Sequence, residues 1–272
     1  NLVRGRIEVV DSKFLLMEAG RPEQWVVAVP MLSLTLPNAE QLVGPIELLA
    51  SLADVSGQTS VQPGSLTAMV RQAEDSQQFD VQLQLENIPV DVWHVIRARF
   101  PSIPVDDLHG KLSATLVGQI VDSEQWTLNV QKVESQGLEI LAPEIVGESP
   151  ARLEFIVASG SAGLAGGKLT LDGARLACDF AEAHANANLP WPLTMEEGPS
   201  MFSPFLPGAV LDARGSVDLP KLAKAAEKLL PLRADTQLLA GSGQFAVTQT
   251  LSSSGAPTSR AKLQLTGLQA MS

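Results

Sequence analysis

Phe79-Asp80-Val81-Gln82-Leu83-Gln84-Leu85-Glu86 alternates apolar and polar residues without a break. Successive side chains of a strand point to opposite faces. This run therefore places Phe79, Val81, Leu83 and Leu85 on one face and Asp80, Gln82, Gln84 and Glu86 on the other. The same period of two returns at Leu112, Ala114 and Leu116, at Trp126, Leu128 and Val130, and at Leu153, Phe155 and Val157. It appears again at Leu169 and Leu171, at Phe245 and Val247, and at Leu263 and Leu265. A slip of one residue would turn a whole apolar set outward, so register is strongly specified. The expected fold is mainly β, a long antiparallel sheet with one apolar and one polar face.

Turn-forming residues separate the runs. Asp11-Ser12 divides 6–10 from 13–18, Asp122-Ser123-Glu124 divides 112–121 from 125–133, and Ser135-Gln136-Gly137 follows. Gly160-Ser161-Ala162-Gly163 and Asp172-Gly173 flank the Leu169 strand, and residues 252–257 join the last two strands. Connections this short join sequential antiparallel neighbours, which argues against a parallel α/β sheet. Residues 44–53 suit a helix or a strand. Residues 177–188 change apolar phase from Leu176, Cys178 and Phe180 to Ala181, Ala183, Ala185 and Ala187. They are read as one long strand with a bulge near 180–181.

Helix is scarce. Residues 90–100 lie between Pro89 and Pro101 and suit a short amphipathic turn or two. Residues 219–230 are the clearest helix, with Asp218 as its cap, Pro220 in its first turn and Pro231 after its end. The two belong to a repeat in which a strand leads through a short helix and a Pro to a Gly-led strand. Pro89 and Pro220 are 131 positions apart (220 − 89), and Pro101 and Pro231 are 130 apart (231 − 101). The spacing divides the chain into N-terminal strands (1–86), a first helix-plus-strands repeat (87–216) and a second one (217–272), and suggests extension by repetition. The chain opens at Asn1 in strand-like sequence and ends just after another strand, as expected of an excerpt from a longer protein.

Of the 272 residues, 45% are hydrophobic, which supports a core and excludes general disorder. Nineteen Lys and Arg against 30 Asp and Glu give a net charge of −11, which argues against a nucleic-acid partner. The single cysteine, Cys178, excludes a disulfide framework and is read as a small buried hydrophobe. A membrane-spanning helix needs roughly 20 consecutive apolar residues. The charge-free stretch 25–39 is interrupted by Pro30, Ser33, Thr35 and Pro37, so no such helix is expected in this segment.

No residue set points to catalysis, a metal or a cofactor, and the chain is not expected to be an enzyme. His94 lies in the short helix beside Trp93, His109 follows Asp106 and Asp107, and His184 lies in the Ala-rich strand. None has ligand spacing, and all three are read as structural or solvated. The stretch 160–167 (GSAGLAGG) precedes Lys168, but Leu169 stands where a phosphate loop needs Ser or Thr, so it is read as a hairpin turn. The Pro-rich apolar stretch 190–207 is read as a loop folded over the sheet edge.

An apolar sheet face must be covered by something. From the residues alone, a closed two-sheet sandwich and an open groove both satisfy this. The sandwich would make the protein a non-enzymatic structural or adhesive domain outside the cytoplasm. The segment Gly-Ser-Val-Asp-Leu-Pro-Lys-Leu-Ala at 215–223, the exit Leu-Leu-Pro-Leu-Arg at 229–233, and the strands at 242–247 and 263–268 together resemble the AsmA-like family, which includes the TamB-type proteins of the diderm bacterial envelope. The likeness covers the last sixty or so residues best. It implies a curled antiparallel sheet forming an open groove, with one or two short helices. It further implies a periplasmic protein that carries phospholipid acyl chains between inner and outer membranes in outer-membrane lipid homeostasis and assembly. Such a protein is tethered to the inner membrane by a segment outside this chain and has outer-membrane proteins as further partners. The lining expected of that groove is Val81, Leu83, Leu85, Leu112, Leu116, Trp126, Leu128, Val130, Leu153, Phe155, Val157, Leu169, Leu171, Phe245, Val247, Leu263 and Leu265.

Overall fold

The computed structural model describes residues 5–17, 24–36, 45–54, 63–72, 77–93, 97, 105–144, 146–191, 208–226, 228, 230, 236–252 and 256–271. They form thirteen strands: β1 (Gly5–Met17), β2 (Gln24–Leu36), β3 (Ile46–Asp54), β4 (Gly64–Gln72), β5 (Phe79–Pro89), β6 (Asp107–Ile120), β7 (Trp126–Leu141), β8 (Ala151–Ala165), β9 (Lys168–Cys178), β10 (Ala181–Pro190), β11 (Val210–Asp218), β12 (Gln237–Leu251) and β13 (Pro257–Met271). All lie in one sheet whose spatial order is the order of the chain. Every neighbouring pair is antiparallel, and β1 and β13 remain as two edges, so the sheet is open and not closed into a barrel. The one α-helix among the described residues, α1 (Leu219–Ala225), lies between β11 and β12, and a 3-10 turn at Val90–Val92 lies between β5 and β6.

Alternation sets the register as expected. Leu66 stands opposite Leu85, Ala68 opposite Leu83 and Val70 opposite Val81, while Leu83 stands opposite Leu116 on the other side. Directly opposed residues share a face and pack as a pair. Among the described residues the substantial contacts of each strand are with its sequence neighbours. The described residues form one layer with no facing sheet among them, so the sandwich left open by the sequence is not the architecture they adopt. Residues 44–53, read as helix or strand, contribute the strand β3.

Most of the glycine signals fall inside strands. Gly110 of β6 opposes the pair Gly137-Leu138 of β7, since His109 pairs with Glu139 and Lys111 with Gln136. Gly160 of β8 opposes Gly173-Ala174 of β9, and Gly241 of β12 opposes Gly267-Leu268 of β13. In each case φ is +129° to +145° at the single residue and +57° to +64° at the first residue of the pair. These are β-bulges built on a left-handed glycine, which bend a strand and increase its twist without ending it. Three of the expected turns are corrected accordingly. Ser135-Gln136-Gly137 lies within β7, the start of 160–167 lies within β8 with only 166–167 turning, and Asp172-Gly173 lies within β9. Asp11 (φ +51°) likewise sits inside the continuous β1, because Asp tolerates the left-handed region.

The reverse error occurs at 177–188. The phase change read there as a bulge is a hairpin: β9 ends at Cys178, Asp179 and Phe180 turn, and β10 pairs back with Ala183 opposite Leu176. The helix expected over 219–230 extends only over Leu219–Ala225, with the Asp218 carboxylate accepting from the Lys221 N–H at 3.1 Å. Of the helix expected over 90–100, the described part is the 3-10 turn, Trp93 and Arg97; residues 94–96 and 98–100 lie outside the described residues, as does most of 190–207. The boundaries drawn at 86/87 and 216/217 fall near the ends of β5 and β11, and the sheet runs through both.

Candidate functional site: the apolar face of the sheet

Opposed residues can be followed from strand to strand across the whole sheet. One row begins at the β1 edge with Val9, Leu32, Leu48, Ala68, Leu83, Leu116 and Val130. It continues through Gly160, Ala174, Ala185, Ala213 and Val247 to Ala261 on β13. None of its members is polar. Twelve interstrand steps of roughly 4.8 Å give it a length of about 58 Å along the sheet.

The residues expected to line a groove fall mostly on this face. Val81 opposes Val70 and Gly118, Leu85 opposes Ala114, and Leu112 opposes Ile88 and Ser135. Trp126 opposes Leu164, Leu128 opposes Ala162, and Leu153 opposes Leu138. Leu169 opposes Leu164 and Leu189, Leu171 opposes Ala162 and Ala187, and Phe245 opposes Gly215. Leu263 opposes Phe245, and Leu265 opposes Gly243. Phe155 and Val157 do not belong. They oppose Gln136 and Glu134, on the polar face, and Phe155 is 42% exposed. The alternation breaks at Glu154, opposite the bulge residue Gly137. The Asp179 carboxylate accepts from the backbone N–H groups of Glu154 and Phe155 there.

Burial varies along the strands in a way the sequence did not show. Leu138, Ala142, Ala151, Leu153 and Leu219 are buried at one rim, and Leu164, Leu189 and Ala209 at the other. The row between them is half-buried from Leu32 to Val247, and at the two edges Val9, Leu263 and Leu265 are 37%, 66% and 51% exposed. Side-chain size varies too. Over β8–β11 the face narrows to Ala and Gly, so a hollow of about 280 Å³ opens above Gly160, Ala162, Ala174 and Ala185, walled by Val130, Leu171 and Leu176. Sequence reading missed this floor because Ala and Gly give a weak alternation signal. Farther along, the Phe245 ring lies over Gly215, where a Cβ would overlap it.

Among the described residues two buried polar side chains lie on this face, and both are satisfied. The buried Ser135 hydroxyl donates to the Lys111 carbonyl at 2.6 Å, and buried Gln249 donates from Nε2 to the Ala209 carbonyl at 3.0 Å. Cys178, half-buried and not fully buried as expected, stands opposite Ile156.

The described histidines lie elsewhere. His109 Nδ1 is 2.7 Å from Asp91, and its Nε2 is 3.7 Å from Asp107. The hydrogen bond to Asp91 holds the imidazolium above the ordinary histidine range; partial burial opposes this, and the charges of Asp107, Asp91 and Glu139 add to it. On the polar face Glu182 meets Arg175 at 2.7 Å and His184 at 3.1 Å, and those hydrogen bonds, His184 first, hold its carboxyl below the usual range. His94 lies outside the described residues. No cluster among the described residues could hold a metal ion, and no helix among them is long and apolar enough to cross a membrane.

Compared with known protein families, curated proteins and solved structures, the chain matches none.

Proposed function

We propose that the chain carries phospholipid acyl chains along its apolar face, as a segment of a periplasmic envelope protein that moves lipid between the inner and outer membranes of a diderm bacterium. The observation that carries this reading is the unbroken apolar row about 58 Å long, over which no protein layer lies among the described residues. Hydrocarbon is a suitable cover for such a face. Each buried methylene contributes roughly 0.8 kcal/mol, so a whole acyl chain gains on the order of 10 kcal/mol before ordering costs. Because the row is apolar at every strand, that gain changes little with position, and a chain can slide along it. The Ala and Gly floor gives depth where the bulky residues give width. Headgroups stay at the open side. The envelope location, the inner-membrane tether and the outer-membrane partners come from the AsmA-like resemblance of 215–223 and the strands after it.

Native mass spectrometry of gently purified protein tests the reading. Bound phospholipid is expected for the wild type and its loss for Leu83→Asp and Leu128→Asp. Both residues are half-buried on the open face, so the variants are expected to keep the β circular-dichroism spectrum. Lipid-free wild type, or unchanged lipid in both folded variants, defeats the proposal.

A further inference from the structure

The polar face carries a feature unrelated to lipid tails. Arg175 opposes His184, His184 opposes Arg214, Arg214 opposes Ala246, and Ala246 opposes Lys262. The row thus places Arg175, Arg214 and Lys262 on one face of a chain of net charge −11. Glu182 engages Arg175 and His184. Arg214 and Lys262 make no ion pair or side-chain hydrogen bond among the described residues. They are two strands apart, roughly 9.6 Å between backbones, and the residue between them is the small Ala246. The result is a recess of about 420 Å³ with Ala246 in its floor, Ser216, Gln244 and Gln264 beside it, and the paired Glu182 and His184 at its wall. Asp212, two residues before Arg214 on its strand, is the remaining nearby carboxylate, and Arg260 lies in the same cross-strand row as Asp212, on the far side of Thr248.

We propose that this recess binds a phosphate group. A planar guanidinium and an ammonium on either side of a small residue suit a tetrahedral phosphate anion, and the amide and hydroxyl groups supply neutral donors. Binding would neutralise Arg214 and Lys262, the two cations of the row that have no carboxylate partner among the described residues. The phosphate is either free or part of a lipid headgroup.

The test uses the whole chain with two probes, inorganic phosphate by calorimetry and phosphatidylglycerol vesicles by co-flotation. Wild type is expected to bind at least one, and Arg214→Gln with Lys262→Gln to weaken it roughly tenfold or more. Ala246→Leu, which fills the floor and keeps every charge, is expected to weaken binding as well. Phosphate binding identifies the free anion; flotation that the double variant loses, without phosphate binding, identifies the headgroup. Lys132→Gln, whose Lys132 is paired with Glu134 at 2.6 Å elsewhere, is expected to leave binding unchanged. Absence of wild-type binding to both probes overturns the proposal, as does wild-type-like binding by the double variant or by Ala246→Leu.

Discussion

The β5–β6 and β11–β12 crossovers are two copies of one device, and they are held in different ways. Gly110 and Gly241 are 131 positions apart (241 − 110), and Gly137 and Gly267 are 130 apart (267 − 137), the same offsets as the paired prolines. Each crossover thus delivers the chain into a strand whose bulge has identical form. The caps differ. In the first, the 3-10 turn is tied to the sheet by Asp91, which meets the His109 imidazole at 2.7 Å, and Arg97 meets Asp106 at 2.6 Å. In the second, the positions matching His109 and Glu139 are Ala240 and Gln269. There the tie is largely apolar: Leu219 of α1 is 6% exposed and comes within 3.8 Å of where a Cβ on Gly243 would lie, while Lys221 Nζ donates to the Asp179 carbonyl at 3.2 Å. The first copy has Leu112 at the position of Gly243, so its strand supplies the bulk that the helix supplies in the second. The bulge is the common element and the cap the interchangeable one.

Changes at the bulges should therefore hurt both copies alike and most severely. Gly160→Ala puts a Cβ 2.7 Å from the Ala174 Cα at φ +140°, and a loss of about 3–5 kcal/mol in urea unfolding is expected from backbone strain and overlap together. Gly110→Ala and Gly241→Ala meet their nearest atoms at 3.1 Å, and about 2–3 kcal/mol each is expected. Gly267→Ala has nothing within 4 Å and pays only for φ +64°, about 1–2 kcal/mol. A Gly160→Ala loss no larger than that of Gly267→Ala would break the claim that close backbone approach shapes the strands.

The strand faces were legible because period-two alternation reports them directly, and this placed Val81, Leu83, Leu128 and Phe245 on one face. The ends of strands were not. Glycine supplies positive φ to a hairpin turn and to a bulge alike, so Gly137, Gly160 and Gly173 read as turns while the tight hairpin at Asp179-Phe180 read as a bulge. Phe155 and Val157 were misplaced because Glu154 shifts the phase without any residue in its own strand announcing it; the cause is Gly137, on the neighbouring strand. The offset of 131 between Gly110 and Gly241, already visible in the prolines, is the signal that would have marked these glycines as repeated bulges. The apolar hollow stayed hidden because Ala and Gly contrast weakly with polar neighbours.

A smaller effect separates the caps. Asp218→Ala removes the carboxylate that accepts from Lys221 N–H, and about 1 kcal/mol is expected. It should appear as faster hydrogen exchange of α1 and leave the turn at Val90–Val92 untouched. Equal acceleration at both crossovers would mean that the two caps act as one unit.

The smallest effect is the one that pH alone can reveal. His109 faces Asp91 from the turn, Asp107 from its own strand and Glu139 from β7, with the Arg97–Asp106 pair nearby. Its folded-state pKa is raised, mainly by the Asp91 hydrogen bond. A group of this sign contributes its full stability below the unfolded histidine value of about 6.5 and loses it as pH rises through the folded value. The first crossover should accordingly loosen from pH 6 to pH 8.5, while the second, which has no described histidine at its cap, stays level. Hydrogen exchange at 90–93 and 219–225, corrected for the intrinsic pH dependence of exchange, measures both in one sample. His109→Gln should remove the difference by bringing the acidic-side protection at 90–93 down to its alkaline level. A variant that keeps the pH response would place the titrating group elsewhere and leave the first cap resting on Arg97 and Asp106.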